Sequence, residues 1–491
     1  MMNNIDAAFK GAAGLTRDYY EALVAASLAP QKLAITRAKQ RQDELEVKAA
    51  VYDDLESKLN SLSSAVDALR QISGEDSVFD SKKATSSDTS YVTATATSDA
   101  ADGSYEIHVD NLAVKHRVWS DQQASGFTLD LGGTGNTAQF KIRSGTDPNN
   151  DITVTVNHGD TLEDIRDAIN QAFSDAIDAG TITEDYGVTA SVVDNHLVIE
   201  SDSTGTAYAL AASDVSGTVL EDLNIVAGAG DTDADSNGFV DSNETNAEDA
   251  QFTVNGINVT RSANTDLDDV ITGVTLNLTG EHGTSNTDAI TLTVAPDTGA
   301  VTTAINSFIS SLNSLTSWLD NKTGVKENSD GTYTRGVLSD DFSLRSLRRT
   351  LVQTAFATWD DAPVNATYTR LDEIGLELGD GLVASLADSS ALESALSSNY
   401  DEVVSLFDGV MQDVATVLSP YTEGTETLVD KLQEAADTAL DDQNSKIDRL
   451  ESALERREEI LRDQIARQFA AISSYNDQGR FIVSSMFNTF G

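Results

Sequence analysis

The sequence predicts a multidomain α+β protein: a terminal α-helical coiled-coil stalk and a helical leg domain, with antiparallel β head domains inserted between the helical ends. Three observations predict it. Tyr52, Leu55, Leu59, Leu62, Val66 and Leu69 recur at three-four spacing and draw one apolar seam along a helix. A second seam, far downstream, passes through Ile447, Leu450, Leu454 and Leu461, and continues at Ile465, Phe469 and Ile472 after a change of spacing that alters the supercoil locally. Between the seams lies a long acidic, Thr- and Asp-rich stretch with the period-two alternation of strands. A seam needs a partner, so the two helical ends are expected to run side by side.

In chain order, residues 14 to 28 read as a short amphipathic helix stopped before Pro30, which suits the first turn of a second helix running to about Gly74. From Ser86 the period becomes two: Tyr91, Thr93, Thr95 and Thr97, a turn at Ala101-Asp102-Gly103, then Tyr105, Ile107 and Val109, which together predict a hairpin. Further strands are expected at 139–142, 152–156, 188–193 and 197–201. One helix interrupts them, capped by Asp160 or Thr161 and buried through Leu162, Ile165, Ile169 and Phe173. Asn255-Gly256 is the favoured dipeptide of a two-residue hairpin, and residues 268–280 then read as a short helical turn and a strand. Helices follow at 301–319, 344–356 and 390–407, with a hairpin-like segment at 374–386 between the last two and a long C-terminal helix from near Thr425.

These elements divide the chain into four parts. Residues 1–44 with 451–491 form the terminal coiled-coil region, and 45–80 with 299–450 the helical leg domain. Residues 81–119 with 249–298 form the β head domain, and 120–248 an inserted outer α+β head domain.

Composition narrows the function. A net charge of −48 opposes nucleic-acid binding, because neutralising phosphates takes basic residues. Arg261 is the only Lys or Arg between Arg166 and Lys322, so the head presents an acidic surface. No apolar run approaches the roughly 20 residues of a spanning helix, which predicts no membrane insertion. With no cysteine, disulfides and thiolate metal sites are excluded. The N-terminus lacks the basic and apolar regions of a secretory signal, so either a cytoplasmic life or export by a signal-independent route is expected.

Three clusters stand out. Residues 233 to 244, DADSNGFVDSNE, fit the twelve-residue EF-hand loop. Asp233, Asp235 and Asn237 take its first three ligand positions, Gly238 the sharp turn, Phe239 the carbonyl position, and Asp241 and Glu244 the last two. Ca²⁺ is the ion this pattern offers to hold, against the plainer reading of a flexible acidic loop; no cofactor is otherwise required. Arg345, Arg348 and Arg349 cluster on one side of a helix, either as a solvated face paired with local acids or as a contact with an acidic neighbouring subunit. Phe481, Ile482, Met486, Phe487 and Phe490 are too apolar for a free tail and read as assembly contacts. Catalysis has no support, since His108, His116, His158, His196 and His282 are scattered without a metal or nucleophile motif and read as ordinary surface or strand residues.

Several segments in this order resemble the flagellar filament cap family, also called flagellar hook-associated protein 2. They are YVTATATSDAADGSYEIHVDNLA (91–113), GDTLEDIRDAIN (159–170) with GVTASVVDN (187–195) and LVIESDSTGTA (197–207), and FTVNGINVTRSANTDLDDVITGVTLNLTG (252–280), which is similar to the flagellin-type hook motif. LSDDFSLRSLRRTL (338–351), LDEIGLEL (371–378) and LESALSSNYDEVVSLF (392–407) are similar to the C-terminal half of the family. The resemblance implies a secreted, non-enzymatic protein exported through the flagellar type III apparatus with its chaperone. It implies self-assembly as a ring, pentameric in the commonest case, at the distal tip of the bacterial flagellum, where the cap promotes folding and polymerisation of flagellin. The alternative from another class is a surface adhesin with an acidic, calcium-binding head on a coiled-coil stalk.

Overall fold

The computed structural model describes residues 17–74, 77–283 and 288–489. The chain divides into two compact units, Met1–Val78 with Thr298–Gly491 and Phe79–Asp297. Among the described residues the helices are α1 (Arg17–Asp67), α2 (Leu162–Asp178), α3 (Val219–Asp222), α4 (Thr298–Thr323), α5 (Phe342–Ala355), α6 (Ser389–Ser398), α7 (Tyr400–Thr422) and α8 (Leu428–Thr489).

The first unit is a helical bundle built on α1 and α8, which run antiparallel. Tyr20 Oη donates to the Arg462 carbonyl (3.1 Å), Gln443 Nε2 to the Ala38 carbonyl (2.7 Å), and Gln433 Nε2 to Asp53 (2.8 Å). The two helical ends run side by side as expected, and this register decides which residues meet. Lys39 pairs with Glu451 at 2.8 Å, and Leu461, Ile465 and Phe469 close on Tyr20, Val24 and Leu28, with Leu454 packed against them. Ile447 and Leu450 therefore lie beside the first half of α1. The seam from Tyr52 to Leu69 is fully buried, in a stretch of α1 that packs on α4 and α7 as well. Lys58 Nζ reaches Ser314 Oγ (3.3 Å), Trp318 Nε1 donates to Asp54, and the Gln71 amide to Asp408 (2.8 Å). Periodicity reveals a buried face but not which face covers it; here α4 and α7 offer Phe308, Leu312, Leu315, Phe407, Met411 and Val414.

The expected break at Pro30 is absent, and α1 runs through it. A proline removes one backbone bond, while Val24 and Leu28 before it and Ile35 and Ala38 after it lie on one buried stripe that keeps both halves in line. Residues 14–16 of the expected first helix lie outside the described residues. The helix expected over 390–407 is two, because Asn399 leaves helical geometry (φ −142°, ψ 50°) between α6 and α7.

The second unit is built from antiparallel sheets. One has five strands in the order Lys82–Ser86, Ile290–Pro296, Gly103–Asn111, Ala250–Val254 and Ile257–Arg261, and beside it in the same core is the sheet of Leu267–Ile271, Val274–Leu278 and Val92–Ala96. The hairpin expected across Ala101-Asp102-Gly103 does not form: Val92–Ala96 pairs with Val274–Leu278 while Gly103–Asn111 pairs with Ile290–Pro296. Both strands find partners far along the chain, which alternation cannot reveal. The helical turn expected within 268–280 is a strand, Leu267–Ile271. At Asn255-Gly256 the two-residue turn forms, with Val254 opposite Ile257 and positive φ at both turn residues (50° and 76°).

A second core lies between α2, the strands Ile152–Asn157, Thr137–Ser144 and Leu210–Ser216, and the strands Glu244–Thr245, Lys115–Trp119, His196–Thr204 and Val188–Val193. Thr161 caps α2 with a reciprocal Thr161–Asp164 box, and Leu162, Ile165, Ile169 and Phe173 fill the core.

Candidate assembly surface and candidate cation loop

Along α8 the apolar stripe passes from interior to surface. Ile447, Leu461, Ile465 and Phe469 are buried and Leu450 and Leu454 half-buried, whereas Ile472, Tyr475, Ile482 and Val483 carry the stripe on at exposed positions; Phe481, on the opposite side of the helix, is exposed by 73%. A patch of this kind on one helix end is what a docking surface needs. The side chains of Met486 and Phe487, and the whole of Phe490, lie outside the described residues.

The arginine cluster separates. Arg345 donates to the carbonyls of Ser339 and Thr323, and Arg348 pairs with Asp320 (2.7 Å) and donates to the Gly381 carbonyl (2.9 Å). Both guanidiniums are thus engaged within their own unit, because the last turn of α4, the loop at Ser339 and the turn at Gly381 bring acceptors to α5. Arg349 is exposed and makes no ion pair among the described residues.

In the loop 233–244, Asp233, Asp235 and Asp241 bring one carboxylate oxygen each within 4.8 Å of the others. Backbone amides hold them: Asn237 and Gly238 donate to Asp233 (3.0 and 3.2 Å), and Ala234 to Asp241 (3.1 Å). Gly238 sits at φ 94° with open space where a Cβ would point, so backbone conformation rather than crowding calls for glycine. Phe239 is buried and its strand bridge to Val226 docks the loop on the core. Asn237 Nδ2 links Asp235, Glu244 and Asn246 at 3.0 to 3.1 Å.

Glu244 differs from the other acids. It begins a short strand opposite Val118, so it shares an inward face with His116, two residues away. Its side chain is 4% exposed, His116 is 2% exposed, and His116 Nε2 lies 3.7 Å from Glu244 Oε2. His116 Nδ1 accepts the Leu210 amide (2.7 Å), and its ring meets Phe239 edge-on. Burial pushes His116 down to about 4, so the imidazole is neutral and the contact is not an ion pair. Burial, then the charges of Asp235, Asp241 and Asp233, pushes the Glu244 carboxyl up. His116 is the residue that the reading of scattered surface histidines missed; the inward alternation of His116 and Val118 in Lys115–Trp119 is the signal that finds it. His108 and His282 are also not isolated, since His282 stacks between Tyr91 (3.9 Å) and His108 (4.7 Å).

Residues 18–116 match the family model described as flagellar hook-associated protein 2 N-terminus, and 247–477 the one described as its C-terminus. The chain belongs to the flagellar hook-associated protein 2 family. Within the family it is 28% identical over 474 residues to the A-type flagellar hook-associated protein 2 of Pseudomonas aeruginosa, covering 92% of this chain and 90% of the relative. It is 25% identical over 404 residues to the lateral flagellar hook-associated protein 2 of Vibrio parahaemolyticus, covering 79% and 81%. In fold it resembles the crystal structure of the D1-D2-D3 domains of the flagellar cap protein FliD from Escherichia coli, with a TM-score of 0.52 over 79% of this chain and 99% of that one, at 24% identity. The flagellin hook IN motif matches residues 127–203, not the 252–280 segment expected from the sequence. That motif is the unit of α2 with its flanking strands, whereas 252–280 falls inside the C-terminal family match. As a family member the chain is a structural cap protein of the flagellar filament, located at the filament tip, and that role requires no cofactor.

Proposed function

We propose that this cap assembles as a ring of like chains at the distal end of the filament and promotes folding and polymerisation of flagellin, after export through the flagellar type III apparatus with its chaperone. The observation that carries the reading is the end of α8, where a stripe buried up to Phe469 emerges as an exposed apolar face from Ile472 to Val483. An apolar face of this kind gains its burial from a neighbouring subunit or the filament tip. The same end includes Met486, Phe487 and Phe490 by sequence. Arg349 is the exposed basic residue offered to an acidic neighbour; Arg349→Glu is expected to reduce self-association in a sizing experiment.

The experiment is a deletion of residues 476–491 in a strain that depends on this chain. The truncated protein is expected to keep its helical and β signatures in circular dichroism while filaments fail to grow and unpolymerised flagellin collects in the medium; normal filaments refute the reading. The relatives named above are flagellar proteins, and the adhesin alternative has no counterpart among them.

A further inference from the structure

We propose that the loop 233–244 is a structural calcium site of the β unit, with Asp233, Asp235, Asn237, the Phe239 carbonyl, Asp241 and Glu244 as its oxygen donors. The donor set has the chemistry of a hard cation. Three carboxylates already converge within 4.8 Å, and among the described residues no Lys or Arg pairs with any of the four acids of the loop.

A second, independent observation lies behind the loop. The hydrogen of the His116 ring is on Nε2, because Nδ1 accepts the Leu210 amide. That Nε2–H is buried, finds no acceptor, and lies 3.7 Å from Glu244 Oε2, just beyond hydrogen-bond reach. An orphaned donor in a dry interior is costly unless it has a task. A carboxylate that binds a metal needs such a donor to fix its orientation, and His116 stands where it can support Glu244 from the far side of the cation. Glu244 has the converse need: its buried carboxylate accepts one hydrogen bond, from Asn237 Nδ2 (3.0 Å), and a buried charge calls for a counter-charge. A half-turn of the Asn237 amide replaces the Nδ2 that now faces Asp235 and Glu244 with the Oδ1 that a cation requires.

Calcium fits better than magnesium. Six protein donors spread over twelve residues, ending in a glutamate able to offer both oxygens, match a large and flexible coordination shell, whereas magnesium demands a tight octahedron and retains water. Bound there, the ion would tie the loop to the edge strand Glu244–Thr245 and through it to Lys115–Trp119, stiffening a unit that has no disulfides.

The test is calorimetric titration of the chelator-treated full chain with CaCl2, alongside its melting temperature. One site is expected, with a Kd of about 10⁻⁴ to 10⁻³ M, as in extracellular calcium modules, and a melting temperature that climbs with calcium. Glu244→Gln, nearly isosteric, is expected to weaken binding at least ~10-fold and abolish the rise. Asp235→Asn, at an exposed position, serves the same purpose without touching the interior. The absence of both heat and a melting shift at about 10 mM calcium overturns the proposal. So does equal binding of MgCl2, or wild-type affinity in both variants, which marks loose condensation on an acidic surface. The isolated chain suffices, so the outcome is independent of whether the cap reading holds.

Discussion

In the β unit the large apolar side chains that stay exposed, Val193, Val215 and Ile257, stand singly on separate strands, whereas Ile472, Tyr475, Phe481, Ile482 and Val483 follow one another along the end of α8. The β unit closes two cores around Phe140, Phe173 and Phe239 and around Phe252, Leu276 and Leu292, and scattered leftovers are normal on any surface. The helix α8, 62 residues long, outruns its buried contacts: its stripe is covered as far as Phe469, opposite Tyr20. The difference teaches that one region satisfies its own apolar surface while the other leaves some exposed, the surface the proposed assembly would bury.

Substitutions can break this contrast, and the largest effect is expected inside the β unit. Phe252→Ala empties a fully buried ring position and is expected to destabilise that unit by about 3 to 5 kcal/mol, read from its denaturant transition. Next comes Thr161→Ala, which removes a two-way cap from α2 and is expected to cost about 1 kcal/mol, with faster amide exchange confined to the first turn of that helix. Smallest is Phe481→Ala, expected to leave the unfolding stability of the isolated chain within about 0.5 kcal/mol of the original, because an exposed ring has little burial to lose. A large loss there would show that the chain itself covers Phe481.

Much of this was legible in the residues. The four inward positions of α2 and the Asn255-Gly256 hairpin are local and legible, and of the two residues offered for the α2 cap, Asp160 and Thr161, the structure uses Thr161. Partner choice was not legible. Period implied that the two helical ends run side by side, but not their register, which sets Ile447–Leu461 beside residues 20–39 and leaves the Tyr52–Leu69 seam to α4 and α7. The Val92–Ala96 strand likewise pairs far along the chain. In the cation loop the spacing of acids was visible, but His116, more than a hundred residues upstream, enters only through the pairing of Glu244–Thr245 with Arg117–Val118. Of the two readings of the arginine cluster, the local one describes Arg348, but its partners were not legible, since Asp320 and the Gly381 carbonyl come from distant segments.

The contrast between the two regions is tested most directly by amide hydrogen exchange on residues 472–485, compared between the isolated chain and the chain seated on filament ends. Protection of these amides is expected to increase on the filament while the interior strands Gly103–Asn111 and Ala250–Val254 stay unchanged. Equal protection of 472–485 in both states would contradict the account.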